Sequence, residues 1–216
     1  GYPSYYLNPL KKLANDRSVI LFDQLGCGRS DILTDTNLMT IDAHVAQTRK
    51  LIEHLKIEKV IIYGHSWGTT LGTEYYKKYP DNIEALILGS PCIDSDMWQN
   101  DSDKLVAQLP DSIRIPIENH INKSIPDTTA LNKAIDYFYD EFYTRKRPHS
   151  EAIIKADSSW YAKKSMVYEY MFGVEEYSID GTLKGYDGKE ILKIIQVPVL
   201  YITGEYDTAT PSTVKK

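Results

Sequence analysis

Cysteine is scarce: Cys27 and Cys92 are the only two in 216 residues. Two thiols make neither a disulfide framework nor a metal site, and both are expected to be buried. Long apolar runs are missing as well; no stretch approaches the roughly 20 residues that span a bilayer. Positive charge is in deficit, with 25 Lys and Arg against 30 Asp and Glu, a net charge of −5. That balance argues against nucleic acid as a partner, because binding phosphates calls for a basic stripe. The first residues show no basic segment followed by an apolar core, so no signal peptide is visible. No segment repeats at a fixed period and none is of low complexity. What remains is 42% hydrophobic and 25% charged. Such a composition reads as a soluble globular protein, long enough for one α/β domain with a modest insertion.

Four short apolar runs are predicted as buried parallel strands: SVILFD (18–23), KVIIYG (59–64), EALILGS (84–90) and VPVLYITG (197–204). Helical patterns separate the first three. The stretch 40–56 places Ile41, Val45, Thr48, Leu51, Ile52 and Leu55 on one stripe behind Thr40, a natural N-cap. A second helix is predicted over 67–80, ended by Pro80. Alternation of this kind predicts an α/β fold with an open, mostly parallel, doubly wound sheet. The alternation then stops. Between 94 and 190 the pattern is helical and tyrosine-rich, with helices predicted over 129–147 and 158–173 and a run of turn residues over 179–189. Residues 1–93 and 191–216 are therefore read as an incomplete core, and 94–190 as a helical cap inserted before the last strand. Such insertions sit over the carboxyl ends of the strands, where α/β folds bind ligands.

Between the second predicted strand and the helix after it lies Gly64-His65-Ser66-Trp67-Gly68, a match to G-x-S-x-G in the strand-to-helix context that it requires. A serine on so tight a turn has a strained backbone, so the residues two positions either side are expected to need the absence of a Cβ. The turn exposes the Ser66 hydroxyl as a nucleophile and aims the Trp67 backbone N–H at an oxyanion. An acid should follow later in the chain. In YITGEYDTATP, Asp207 stands just past a turn at Gly204, where it can hold a histidine tautomer. Asp94 and Asp96, which follow the third strand, are the alternatives; the G-x-x-D turn favours Asp207.

A base is harder to find. All five histidines, His44, His54, His65, His120 and His149, precede Asp207, whereas the order Ser…Asp…His places the base after it. His65 adjoins the nucleophile but is expected to point away from it and pack. His44 and His54 lie on the 40–56 helix as structural or solvated residues, and His120 and His149 lie in the cap. The expectation is that the base is outside this sequence, that the chain is truncated at both ends, and that these 216 residues alone are inactive.

Four segments, DQLGCGRSD (23–31), GHSWGTTLG (64–72), MFGVEEYSIDGTL (171–183) and GEYDTATP (204–211), together resemble the proline iminopeptidases of the α/β-hydrolase superfamily. The resemblance covers essentially the whole chain, in order. It implies a serine peptidase that releases an N-terminal proline, or another small residue, from small peptides with a free N-terminus, through an acyl-enzyme and without metal or cofactor. It places an H-G-G-P-G segment just before the chain, with Gly1 as its last residue, and the histidine beyond residue 216. It also makes Glu176 the anchor of the substrate amine, with Glu175 and Glu169 as nearby alternatives. A charged amine held beside a catalytic centre needs such a charge-assisted partner. Some members carry a second glutamate directly after the acid, where this chain has Thr208. Phe172, Tyr168, Trp160 and Trp98 are candidates for a pyrrolidine pocket, although for each one separately packing is the better reading. Asp23, Arg29 and Ser30 are expected to fix the loop beside the site. Two further readings stay open, a small-acyl esterase or amidase of the same fold and a non-catalytic binding protein. An epoxide hydrolase or dehalogenase is disfavoured, because those need an aspartate where Ser66 stands.

Overall fold

The computed structural model describes residues 2–15, 17–124, 127–162 and 166–215. Three parallel strands, β1 (Val60–His65), β2 (Ile83–Gly89) and β3 (Val199–Ile202), form a sheet in the order β1-β2-β3. Helix α1 (Ile41–His54) begins where its sequence says it should, with the Thr40 hydroxyl accepting the Ala43 N–H at 3.1 Å. It buries Val45, Thr48 and Ile52. Helix α2 (Trp67–Lys78) leaves β1 directly and ends two residues before Pro80, which opens a short 3₁₀ turn. Tyr75 and Tyr76 on α2 pack with Leu86 and Leu88 on β2 and with Val45 and Ile52 on α1. That layer of helices over the sheet fixes the height and direction of the β1–α2 turn.

Helices α3 (Ser95–Ala107), α4 (Asp111–Ile121), α5 (Thr128–Phe142), α6 (Glu151–Ala162) and α7 (Met166–Met171) lie between β2 and β3, followed by the short α8 (Lys189–Leu192) and, after β3, α9 (Pro211–Val214). The helix expected over 129–147 stops at Phe142. That expected over 158–173 corresponds to the end of α6 and all of α7, residues 163–165 lying outside the described residues. A cluster of Ile113, Ile117, Ala134, Phe138 and Tyr177 binds α4, α5 and the segment after α7. A second cluster, with Trp98, Met171, Phe172 and Ala209, joins the inserted helices to the segment after β3. Both cysteines are buried thiols joined in no disulfide, and burial pushes Cys92 up to about 12. No helix among the described residues is long and apolar enough to cross a membrane.

Three strand expectations need correction. The run 59–64 forms β1 but is not buried as expected: Gly64 is its only buried residue, and Ile61 is 39% exposed. Residues 18–23 form no strand and pair with none of the three strands of the sheet. Apolar content alone cannot make a strand; backbone pairing does. Residues 197–204 do form β3, yet it is not buried. It pairs with β2 on one side only, and Leu200, Tyr201 and Ile202 are 54%, 41% and 48% exposed. The opening segment is a 3₁₀ helix over Ser4–Asn15 packed on α6.

Candidate active site

At the β1–α2 turn Ser66 has φ 52° and ψ −122°, a left-handed conformation that L side chains rarely adopt. Its N–H donates to Gly89 O at 2.9 Å, tying the turn to the end of β2. Its carbonyl accepts both the Thr69 N–H at 2.8 Å and the Thr69 hydroxyl at 2.6 Å. Thr69 is fully buried and accepts the Cys92 N–H at 2.8 Å with the same hydroxyl oxygen. The Ser66 hydroxyl itself caps nothing and has no hydrogen-bond partner among the described residues, which leaves it available at the N-terminus of α2.

The steric account of the two glycines holds at one of them. A Cβ on Gly64 would overlap the Gly68 carbonyl, 2.5 Å from its carbon and 2.8 Å from Thr69 N. A Cβ on Gly68 would meet nothing within 4 Å. Gly64 is thus required by the close approach of β1 to α2, whereas Gly68 only leaves space open beside the turn.

Trp67 is pinned on both sides, its indole N–H donating to Gln24 Oε1 at 3.1 Å and its ring edge-on to His44. Gln24 belongs to the loop that the sequence marked. Asp23 accepts the Ser4 N–H at 2.7 Å, the Arg29 N–H at 3.0 Å and Arg29 Nε at 2.8 Å, while the Ser30 hydroxyl donates to the Asp23 carbonyl at 2.6 Å. Burial would raise this carboxyl, but the Arg29 side chain and the two backbone donors prevail and hold it below the usual range. These residues shape the loop beside Trp67, as expected.

Asp207 stands at the opposite side of the β2 terminus. The Ser90 hydroxyl donates to its Oδ2 at 2.6 Å and the Ala209 N–H to its Oδ1 at 2.9 Å. Ser90 is itself held by its N–H on Ile202 O at 2.7 Å. Gly89 therefore holds Ser66, and the next residue holds Asp207. The two alternatives are occupied elsewhere or exposed. Asp94 is the N-cap of α3, accepting the Met97 N–H at 2.7 Å and pairing with Lys189. Asp96 lies exposed on the first turn of the same helix.

None of the five histidines is hydrogen-bonded to Ser66 or Asp207. His65 shares a 3.1 Å hydrogen bond through Nδ1 with the Tyr6 hydroxyl and packs on that ring. His120 bonds Tyr177, His149 lies 3.9 Å from Asp157, and His54 is exposed at the end of α1. His44 is 2% exposed, its Nε2 has no partner, and burial lowers it to about 4. Because the unfolded imidazole titrates near 6.5, the unfolded state binds the extra proton between about 6.5 and 4. Stability is therefore lost as pH falls through that window. From pH 7 to 5 this histidine should cost about 2 kcal/mol. Urea denaturation of the parent and His44→Leu at both pH values checks it; equal pH dependence in the two proteins would refute it.

Glu176 lies among phenols. The Tyr143 hydroxyl donates to its Oε2 at 3.1 Å and the Tyr168 hydroxyl to its Oε1. Burial raises this carboxyl, opposed by those two donors. Glu175 accepts from Tyr139 at 3.2 Å and is also raised, chiefly by burial. Glu169 is half-buried on α7. Tyr168 stacks on Phe172 and meets Trp160 edge-on at 5.1 Å. Phe172 and Trp98 are core residues, 6% and 3% exposed, in edge contact with each other. Thr208 is buried, and its hydroxyl donates to Tyr143 at 3.3 Å. One phenol thus links the residue after Asp207 to Glu176. Ser90 and Tyr143 carry no motif, and sequence reasoning missed both. Gly1, expected to end the H-G-G-P-G segment, lies outside the described residues.

A family model described as the alpha/beta hydrolase fold matches residues 3–216. The chain is 35% identical to a proline iminopeptidase of Heyndrickxia coagulans over 99% of its own length and 73% of the relative's. The crystal structure of a Mycobacterium smegmatis proline iminopeptidase superposes with a TM-score of 0.89 at 28% identity, covering 99% of this chain and 72% of that one. The crystal structure of VinJ gives a TM-score of 0.90 at 26% identity, covering 100% of this chain and 74% of that one.

Proposed function

Since the chain belongs to the proline iminopeptidases of the α/β-hydrolase fold, we propose that Ser66, Asp207 and Glu176 serve a peptidase that removes an N-terminal proline, or another small residue, from small peptides. The Ser66 oxygen attacks the carbonyl carbon of the first residue, and a histidine oriented by Asp207 takes the hydroxyl proton. The Trp67 N–H donates to the oxyanion that forms on the carbonyl oxygen. That histidine then returns the proton to the departing amide nitrogen as the C–N bond breaks. Water cleaves the resulting ester, releasing the residue and restoring the serine. None of the five histidines in these residues is placed for this part. Residues 94–190 act as the cap and 1–93 with 191–216 as the core. Glu176 holds the free amine, with Glu175 and Glu169 beside it and the rings of Phe172 and Trp160 around the pyrrolidine.

One observation carries the reading: consecutive residues at the end of β2 bind the turn of Ser66 and the carboxylate of Asp207. The test is a prolyl arylamide and its N-acetylated form, given side by side to the native-length protein. Release from the free amine alone supports the proposal; equal rates on both would favour a small-acyl esterase or amidase instead. Glu176→Gln is expected to lower kcat/KM for the free-amine compound roughly 10²-fold, because the ammonium loses its charged partner. Turnover of a simple ester should change little. Equal losses on both substrates would remove Glu176 from the amine site.

A further inference from the structure

Among the described residues four non-glycine residues have positive φ: Lys56, Ser66, Ser90 and Lys123. Lys56 and Lys123 stand one residue past the C-caps of α1 and α4, where helices ordinarily end in a left-handed residue. Ser66 and Ser90 have no such excuse. Both lie at the carboxyl end of the sheet, and Ser66 is the proposed nucleophile. Ser90, at φ 47°, occupies a conformation that glycine would adopt without strain. What serine adds there is a hydroxyl, and that hydroxyl donates to Asp207 Oδ2 at 2.6 Å. A strained residue whose side chain meets a candidate acid is a reason to look for function.

We propose that Ser90 is a positioning residue for Asp207: its hydroxyl, held in a left-handed conformation at the end of β2, fixes the carboxylate plane in which the triad acid presents itself to histidine. This rests on the triad reading above. Ala209 N–H occupies one lone pair of Oδ1 and Ser90 one of Oδ2. Each oxygen keeps a second lone pair for the imidazole N–H. Both donors come from fixed backbone positions, Ser90 being anchored through its own N–H on Ile202 O at 2.7 Å. The carboxylate therefore cannot swing without breaking one of two charge-assisted bonds.

The experiment compares Ser90→Gly, Ser90→Ala, Asp207→Asn and the double variant Ser90→Gly/Asp207→Asn of the native-length protein on a prolyl arylamide. Both Ser90 variants should lose kcat about 10-fold, the scale of one hydrogen bond to a charged group, with KM within about twofold. Ser90→Gly should nonetheless melt about 2–4 °C above Ser90→Ala, because glycine removes the strain and alanine keeps it. The double variant should be no slower than Asp207→Asn, since Ser90 acts only through that carboxylate. A merely structural Ser90 would give additive losses, and that result overturns the proposal. So does wild-type kcat in Ser90→Gly while Asp207→Asn is impaired. Wild-type kcat in Asp207→Asn would overturn the triad reading itself, and Ser90 with it.

Discussion

Ser66→Ala is expected to lower kcat on a prolyl arylamide by roughly 10⁴-fold or more in the native-length protein, with the melting temperature almost unchanged. Loss on that scale follows from removing the atom proposed to form the acyl-enzyme. The stability half of the prediction comes from the geometry. The Ser66 hydroxyl makes no hydrogen bond among the described residues and caps nothing on α2. Its removal strands no buried partner, so stability should stay within about 0.5 kcal/mol, as at sites free of such features. Alanine also keeps the Cβ and hence the same strain at φ 52°. Steady-state kinetics and thermal unfolding check the two halves, and labelling by a fluorophosphonate should vanish with the activity. A variant that retains turnover and labelling would take the nucleophile's role from Ser66.

Gly64→Ala carries the largest expected stability effect. The added methyl would fall on the carbonyl of Gly68 and 2.8 Å from Thr69 N. These are backbone atoms of the first turn of α2, so no side chain can rotate aside. The helix must move off the strand, although Ser66 N–H on Gly89 O and the Thr69 hydroxyl bonds hold it there. Overpacking a core with flexible neighbours costs about 1–3 kcal/mol; against backbone it should reach about 3 kcal/mol or more. In a domain of this size that is a fall of about 10 °C in Tm. Gly68→Ala is the control. Its Cβ meets nothing and alanine suits a helix better than glycine, so it should melt at or slightly above the parent. Circular dichroism melts of both variants decide the matter; if Gly64→Ala unfolds with the parent, the contact is not the constraint described.

Local features were the most legible from sequence. The Thr40 cap, most of the stripe of α1 and the strand-turn-helix around Ser66 depend on residues within a few positions of one another and appear where they were expected, although Leu55, read as part of that stripe, is the exposed C-cap of α1. Features that need a distant partner were not. SVILFD has the composition of a strand, yet composition says nothing about what lies alongside it, and it runs unpaired. VPVLYITG was read as buried because apolar residues usually are, but three of its side chains face solvent at an edge. Asp94 stood as an alternative acid until its place at the start of α3 showed it capping a helix. Ser90 meets Asp207 across 117 residues and Thr208 meets Tyr143 across 65. No spacing rule links such positions, so these contacts become visible only when the chain is folded.

The bonds made by Thr69 have a consequence for the energetics of turnover. Its hydroxyl joins the Ser66 carbonyl to the Cys92 N–H, so the first turn of α2 is locked to the chain beyond β2 before any substrate arrives. The backbone dipoles at that helix start have nowhere to rotate. In solution, the water dipoles around a developing oxyanion must reorient, and that reorganisation adds to the barrier. Under the role proposed for the Trp67 N–H, the dipoles are fixed before the reaction, and the freedom they lack is given up once, when the protein folds, rather than in every catalytic cycle.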